Sequence, residues 1–190
     1  MFKALATDVD GTITDKDMKI SCTAIKIIRK LENLGIPVIL ASGNALCVLK
    51  TLKEYIGCSG ALIAEGGAVV EYEGKLRILG DPKEPRMALK RIKEVFGDKV
   101  RESWSNPYRY VDVALRRTIH IGEILKIIGE FPNLKLIDSG YAYHILNKNV
   151  DKGVGLRVAS QLMGINLNEI IAIGDSQTDV EMLKVSGLGV

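Results

Sequence analysis

The sequence predicts an α/β protein: a doubly wound parallel sheet into which a smaller α+β unit is inserted. Three observations carry this expectation. From Lys3 to Ala64, short apolar runs alternate with stretches of helical periodicity, the β-α-β-α-β order of a parallel sheet with right-handed crossovers. The same order resumes after Lys152. Between about Asp81 and Asp151 the strands alternate and follow one another, the habit of antiparallel pairs with helices on one face. The chain therefore divides into a core made of residues 1–80 and 152–190 and a lid-like insert made of residues 81–151.

The elements follow in order. Lys3 to Thr7 is a buried strand that stops abruptly at Asp8-Val9-Asp10-Gly11-Thr12. Ser21 caps a helix to about Leu34, whose apolar stripe is Ala24, Ile27, Ile28, Leu31 and Leu34, and Gly35 ends it. Ile36 to Ala41 is a second strand, stopping at Ser42-Gly43-Asn44, and Asn44 reads as the cap of a helix from about Ala45 to Tyr55. Ala61 to Ala64 is a third strand. Ala68 to Tyr72 and Lys75 to Leu79 flank Glu73-Gly74, a hairpin signal, and Gly80-Asp81-Pro82 is a break. The insert should hold a helix from Pro85 to Phe96 and a strand from Tyr110 to Leu115 with Val111, Val113 and Leu115 on one face. A helix from Ile121 to Phe131 and strands from Lys135 to Asp138 and Ala142 to Leu146 complete it. A helix from Gly153 to Met163, a strand from Ile170 to Ile173 ending in Gly174-Asp175, and a helix capped by Ser176 through Lys184 follow. Gly187 to Val190 reads as the start of a further strand, so more residues are expected after it.

Composition narrows the class. The formal charge of +3 is too mild for a nucleic-acid or membrane surface. No apolar run is long enough to span a bilayer, and Asp8 and Asp10 interrupt the N-terminus before a signal peptide could develop. Cys22, Cys47 and Cys58 are odd in number and lack CxxC spacing, which fits reduced, buried thiols in a cytoplasmic protein rather than disulfides or zinc.

The polar residues sit where chemistry is done. In extended backbone Asp8 and Asp10 point to the same side, and two carboxylates that close need a cation or a proton between them. An ordinary Asp-Gly turn also accounts for Asp10 at this point. Three parallel strands end in Asp8/Asp10, Ser42/Asn44 and Asp175/Asp179, and Lys152 opens an element beside the last. The carboxyl ends of such strands share one edge of the sheet, so these groups converge. An oxygen-rich carboxylate site suits Mg2+, which would let a carboxylate approach an anionic substrate. Lys152 and Ser42 would hold phosphoryl oxygens.

Asp8-Val9-Asp10-Gly11-Thr12, then Ser42 after a strand, then Lys152, then Gly174-Asp175-Ser176-Gln177-Thr178-Asp179 resembles the four ordered motifs of the haloacid dehalogenase superfamily phosphatases, with a Rossmann-like core. The resemblance implies Asp8 as the nucleophile that forms an aspartyl-phosphate and Asp10 as general acid and then base. It implies Mg2+ held by Asp8, the backbone carbonyl of Asp10 and Asp175, with Asp179 close by. It also implies phosphoryl binding by Ser42, Gly43 and Lys152. The insert resembles the cap of the Cof-type branch, and within it the archaeal phosphoglycolate phosphatases. The implied reaction is hydrolysis of a small phosphorylated metabolite, 2-phosphoglycolate first, with a sugar phosphate as the runner-up. A receiver-type signalling domain is the alternative of another class. No nucleic acid or membrane partner is expected, and a homodimer is left open.

Other residues read more plainly. Glu65-Gly66-Gly67 departs from the Asn-Gly pair that relatives often carry, which puts substrate contact from that loop in doubt. His144 reads as a satisfied strand histidine, with substrate contact as the competing role. Arg109, Arg116 and Arg117 read as a solvated strand face, with a grip on a substrate carboxylate as the competing role. Trp104 and Tyr108 either line the cleft or pack.

Overall fold

The computed structural model describes all 190 residues. Its centre is β1 (Ala4–Asp8), which is apolar on both faces and pairs in parallel with β2 (Val38–Ala41) on one side and β9 (Ile170–Ile173) on the other. Asp8 lies opposite Ala41 and Thr7 opposite Ile173, so three strand ends finish side by side. The full sheet has seven strands in the order β10-β9-β1-β2-β3-β4-β5, with β3 at Leu62–Ala64 and β10 at Leu188–Gly189. It is mixed: β4 (Val69–Tyr72) and β5 (Lys75–Ile78) extend the parallel part as the expected antiparallel hairpin.

Alternation along β2 shows why helices cover both faces. Val38 and Leu40 pack with Ile28 of α1 (Cys22–Asn33) and Leu49 and Ile56 of α2 (Leu46–Ile56). Ile39 and Ala41 pack on the opposite face with Leu156 and Ala159 of α5 (Lys152–Met163) and Met182 of α6 (Val180–Val185). The inserted unit has a core of its own. There α3 (Lys83–Phe96) and α4 (Ile121–Ile128) cover one face of an antiparallel sheet ordered β6-β8-β7, at Val113–Arg116, Ala142–Asn147 and Leu134–Asp138.

Several expectations need correction. The α1 stripe is narrower than its sequence implies: Ile28 is buried, but Ile27 and Leu34 are exposed because Ile27 lies on the flank of the contact line and Leu34 is already the C-cap. Val111 is not on a strand with Val113 and Leu115. It packs in the core cluster with Leu146 and Val150, and β6 begins only at Val113. The helix α4 stops at Ile128, short of Phe131. The last helix is preceded by a 3₁₀ turn, Gln177–Asp179, and it is this turn that Ser176 caps, in a reciprocal box with Asp179. All three thiols are free, but only Cys58 is buried; Cys22 and Cys47 are exposed at the first turns of their helices. No helix is long and apolar enough to cross a membrane.

The 3₁₀ turn Glu65–Gly67 after β3 abuts the start of α5. Gly67 has φ +105°, and a Cβ there would stand 1.9 Å from the Asp151 carbonyl oxygen and 2.9 Å from the Lys152 nitrogen. Both the backbone and the space therefore require glycine. Gly67→Ala should lower unfolding free energy by about 2–4 kcal/mol in a denaturant titration; a loss under about 0.5 kcal/mol would contradict this packing.

Candidate active site

The site is built where β1, β2 and β9 end. Asp8 is the last residue of β1 and almost fully buried. Asp151 caps α5 by accepting from the Val154 N–H at 2.8 Å, which makes Lys152 the first residue of the helix. A cation at a helix N-terminus opposes the macrodipole. Lys152 tolerates it because its Nζ donates to Asp8 Oδ1 at 2.5 Å and to Asp179 Oδ1 at 2.6 Å, all three side chains being buried. Burial alone would lower the Lys152 pKa, but the two carboxylates outweigh it and raise it, so the ammonium stays charged. An ammonium has three donors, and one remains.

Asp179 is fully committed. Its second oxygen accepts from the Ser176 N–H at 3.1 Å and the Ser176 hydroxyl at 2.8 Å. Asp175 is exposed, and the Thr12 hydroxyl lies 3.2 Å from its Oδ1 and 3.3 Å from Asp8 Oδ2, sharing one proton between them. Gly11, at φ +93°, opens this space: a Cβ there would lie 2.3 Å from Asp175 Oδ2. Carboxylate oxygens of Asp8, Asp175 and Asp179 all fall within 4.8 Å of one another. Three carboxylates against one lysine leave net negative charge, and the donors are all oxygen, so the set fits a hard divalent cation such as Mg2+. Burial pushes Asp8 up to about 6 even beside Lys152, so further positive charge is what would hold it ionised.

Asp10 lives differently. Its Oδ2 accepts from the Ser42 hydroxyl at 3.1 Å and from the Asn44 amide at 2.9 Å, and its carboxylate is not part of the acidic triad. Burial raises its pKa, against the Ser42 hydrogen bond. Ser42 is buried and its single proton goes to Asp10. Asn44 is not the helix cap its position implies: Ala45 holds that place without a side-chain bond, and the Asn44 amide serves Asp10. The Gly43 carbonyl accepts from Arg109 Nη1 at 3.0 Å.

A cleft of about 540 Å³ opens between this edge and the inserted unit, lined by Asp8, Asp10, Lys152 and Asp175 on one side and by Trp104, Tyr141 and His144 on the other. Tyr108 faces a separate hollow beside Leu46 and Cys47. Two features of the cleft escape sequence reasoning. Glu65, fully buried, accepts from the backbone N–H groups of Tyr110, Val111 and Asp112 at 2.8, 2.8 and 3.1 Å, tying the core to the segment that enters β6. Those three N–H groups are thereby unavailable to a strand partner, which is why β6 starts late. Arg109 is buried and paired with Asp112, which also meets His144, so it does not belong to a solvated face. A charged residue between an apolar strand and two glycines was the one sequence signal for the Glu65 clamp.

The fold and the carboxylate edge define a class, and comparison with known proteins gives it a name. A family model described as haloacid dehalogenase-like hydrolase matches residues 5–104 and 113–190, and the chain belongs to that family. Within it the chain is a phosphoglycolate phosphatase-like hydrolase of the Cof-type branch. It is 40% identical over 195 residues to the phosphoglycolate phosphatase of Methanoculleus marisnigri, covering all of this chain and 83% of that one. The phosphoglycolate phosphatase of Archaeoglobus fulgidus is 38% identical over 190 residues, covering 99% and 82%. A crystal structure from Thermoplasma acidophilum superimposes with a TM-score of 0.87 at 25% identity, covering all of this chain and 91% of that one.

Burial and the Asp112 charge push Glu65 from 4.5 up to about 7, although three N–H donors pull the other way. Between those values the folded chain holds a proton that the unfolded chain has released. The Glu65 contribution to stability is therefore full below about 4.5 and is lost as pH rises through about 7. Unfolding free energies of wild type and Glu65→Gln at pH 5.5 and 8 check this: the wild type should lose more stability over that interval than the variant.

Proposed function

We propose that the chain is a Mg2+-dependent phosphatase that hydrolyses 2-phosphoglycolate to glycolate and phosphate through an aspartyl-phosphate on Asp8. The observation that carries the reading is the contrast at the end of β1: Asp8 is held by Lys152 beside two further carboxylates, and Asp10, two residues on, is held by neutral donors. The Asp8 carboxylate attacks phosphorus, and the bond to the leaving oxygen breaks. Asp10 gives that oxygen its proton, then takes a proton from the water that cleaves the acyl phosphate. A raised Asp10 pKa suits the acid half of this cycle, and with Oδ2 engaged by Ser42 and Asn44 its other oxygen is left to carry the proton. Lys152 offers its third donor to a phosphoryl oxygen, Ser42 would reach the same group only by giving up its bond to Asp10 when substrate binds, and Gly43 shapes the loop between them. Mg2+ would be held by Asp8, Asp175 and the Asp10 backbone carbonyl, with Asp179 beside them, and would supply charge that screens the attack on an anionic ester.

The names of the relatives from M. marisnigri and A. fulgidus support 2-phosphoglycolate as the substrate. A sugar phosphate is the second reading, favoured by a cleft roomier than so small a substrate needs. One chain supplies every group the reading uses. Three free thiols accord with a reducing, cytoplasmic setting.

Asp8→Asn should lower kcat by about 10⁴-fold or more, and EDTA should abolish turnover that added Mg2+ restores. Phosphate release that survives either treatment refutes the mechanism. In a panel of monoesters, a higher kcat/KM for glucose 6-phosphate than for 2-phosphoglycolate would overturn the substrate assignment in favour of the second reading.

A further inference from the structure

Asp112 is buried between two basic side chains, with Arg109 Nη1 at 2.5 Å on one oxygen and His144 Nδ1 at 2.9 Å on the other. Burial would raise its pKa, but the His144 hydrogen bond and the Arg109 charge together outweigh it, and the carboxyl sits below its usual value. An ionised carboxylate only accepts, so Nδ1 of His144 is the donor in that contact. The other ring nitrogen, Nε2, is then the group the ring offers elsewhere: an acceptor in the neutral ring and a donor in the imidazolium. Its position is given by Gly43: a Cβ on that residue would stand 3.5 Å from His144 Cε1 and 3.6 Å from Nε2. The free edge of the ring thus lies against the Ser42-Gly43-Asn44 loop that holds Asp10, and His144 lines the cleft with its side chain 12% exposed.

The other basic side chains lining the cleft are largely engaged, leaving Arg109 Nη2 and the third Lys152 donor. Arg109 gives Nη1 to Asp112 and to the Gly43 carbonyl, and Nε to Ser105 Oγ at 3.0 Å. Lys152 holds Asp8 and Asp179. A substrate with a second anionic group beyond its phosphate therefore meets two nitrogens of the inserted unit without a partner, His144 Nε2 and Arg109 Nη2.

We propose that His144, as the imidazolium with one N–H on Asp112 and the other free, reads the non-phosphoryl end of the substrate by donating its Nε2–H to a carboxylate, and so selects phosphate monoesters of hydroxy acids over neutral ones. The proposal rests on the phosphatase reading above. Arg109 and Asp112 fix the ring from behind, while Arg109 also ties that support to the Gly43 loop.

The test compares 2-phosphoglycolate with 2-hydroxyethyl phosphate, which replaces the carboxylate by a neutral hydroxymethyl group. His144→Asn keeps an amide N–H near the Nδ1 position, for Asp112, and removes the reach of Nε2. The ratio of kcat/KM for 2-phosphoglycolate to that for 2-hydroxyethyl phosphate should fall by about 10- to 100-fold, the range of a lost charge-assisted hydrogen bond, and mainly through KM. His144→Gln, whose amide reaches the Nε2 position, should lose less of that ratio than His144→Asn. A ratio unchanged within about threefold in folded His144→Asn overturns the proposal. So does a wild-type enzyme that turns over both esters with equal kcat/KM. A wild-type enzyme that hydrolyses neither ester instead overturns the phosphatase reading itself, so the two failures are distinct.

Discussion

The Lys152 ammonium, closed in between Asp8 and Asp179, is the interaction on which the rest of the site depends. It joins β1, the start of α5 and the turn before α6, elements that are far apart in sequence. Removing one partner from a buried ion pair costs about 3–5 kcal/mol because the charge left behind has lost its solvent as well as its partner. The arrangement is tolerable because nearly every remaining donor or acceptor is matched: Asp179 by Ser176, Asp8 by Thr12. The imbalance that survives is negative, which is the electrostatic condition for attracting a divalent cation and, with it, a phosphate ester.

The second constraint is how the inserted unit is held over that edge. Apolar packing fixes it broadly, with Val111, Leu146 and Val150 in the core cluster, and two polar clamps fix it locally. Glu65 takes three backbone donors from the incoming segment, and Arg109 reaches back to the Gly43 carbonyl. Hydrogen bonds of this kind are directional, so they set the placement of His144 relative to the Ser42-Gly43-Asn44 loop more sharply than apolar contact could. They also involve buried ionisable groups, which makes the docking sensitive to charge where hydrophobic docking would not be.

What could be seen beforehand follows from the range of each force. The parallel core was legible because burial on both faces writes continuous apolar runs, as in Ile36 to Ala41, and because strand ends are marked by polar residues. Helix ends were legible wherever a cap is local: Ser21 accepts from Ala24, as its position implies. Three of the misreadings share a cause, a polar side chain answering a partner far away in the chain. Asn44 looked like a cap and instead serves Asp10; Arg109 looked solvated and instead pairs with Asp112 and Gly43; Val111 continued an alternating pattern that Glu65 interrupts from 46 residues away. Alternation and spacing carry no record of such contacts. The convergence of Asp8, Asp175, Asp179 and Lys152 was foreseeable only because strand ends in a parallel sheet must share an edge.

That edge also explains how two aspartates, chemically identical and two residues apart, come to differ. The strand order puts β9 on one side of β1 and β2 on the other. The turn after β9 brings Asp175 and Asp179 beside Asp8, together with Lys152 from α5, so Asp8 sits among charges. The loop after β2 brings Ser42 and Asn44 to Asp10, so its hydrogen-bond partners are neutral donors, and burial raises its pKa against the Ser42 bond and the charges of Lys152 and His144. Under the proposed mechanism the first environment, with a cation added to Lys152, would keep Asp8 ionised, and the second would let Asp10 gain and lose a proton. The register enforces the division. Side chains alternate along β1, so a slip of one residue against β2 would turn both aspartates to the far side of the sheet, away from every partner named here. The apolar pattern that buries Ala4 and Ala6 on one face is therefore also what assigns the two carboxylates their separate neighbours.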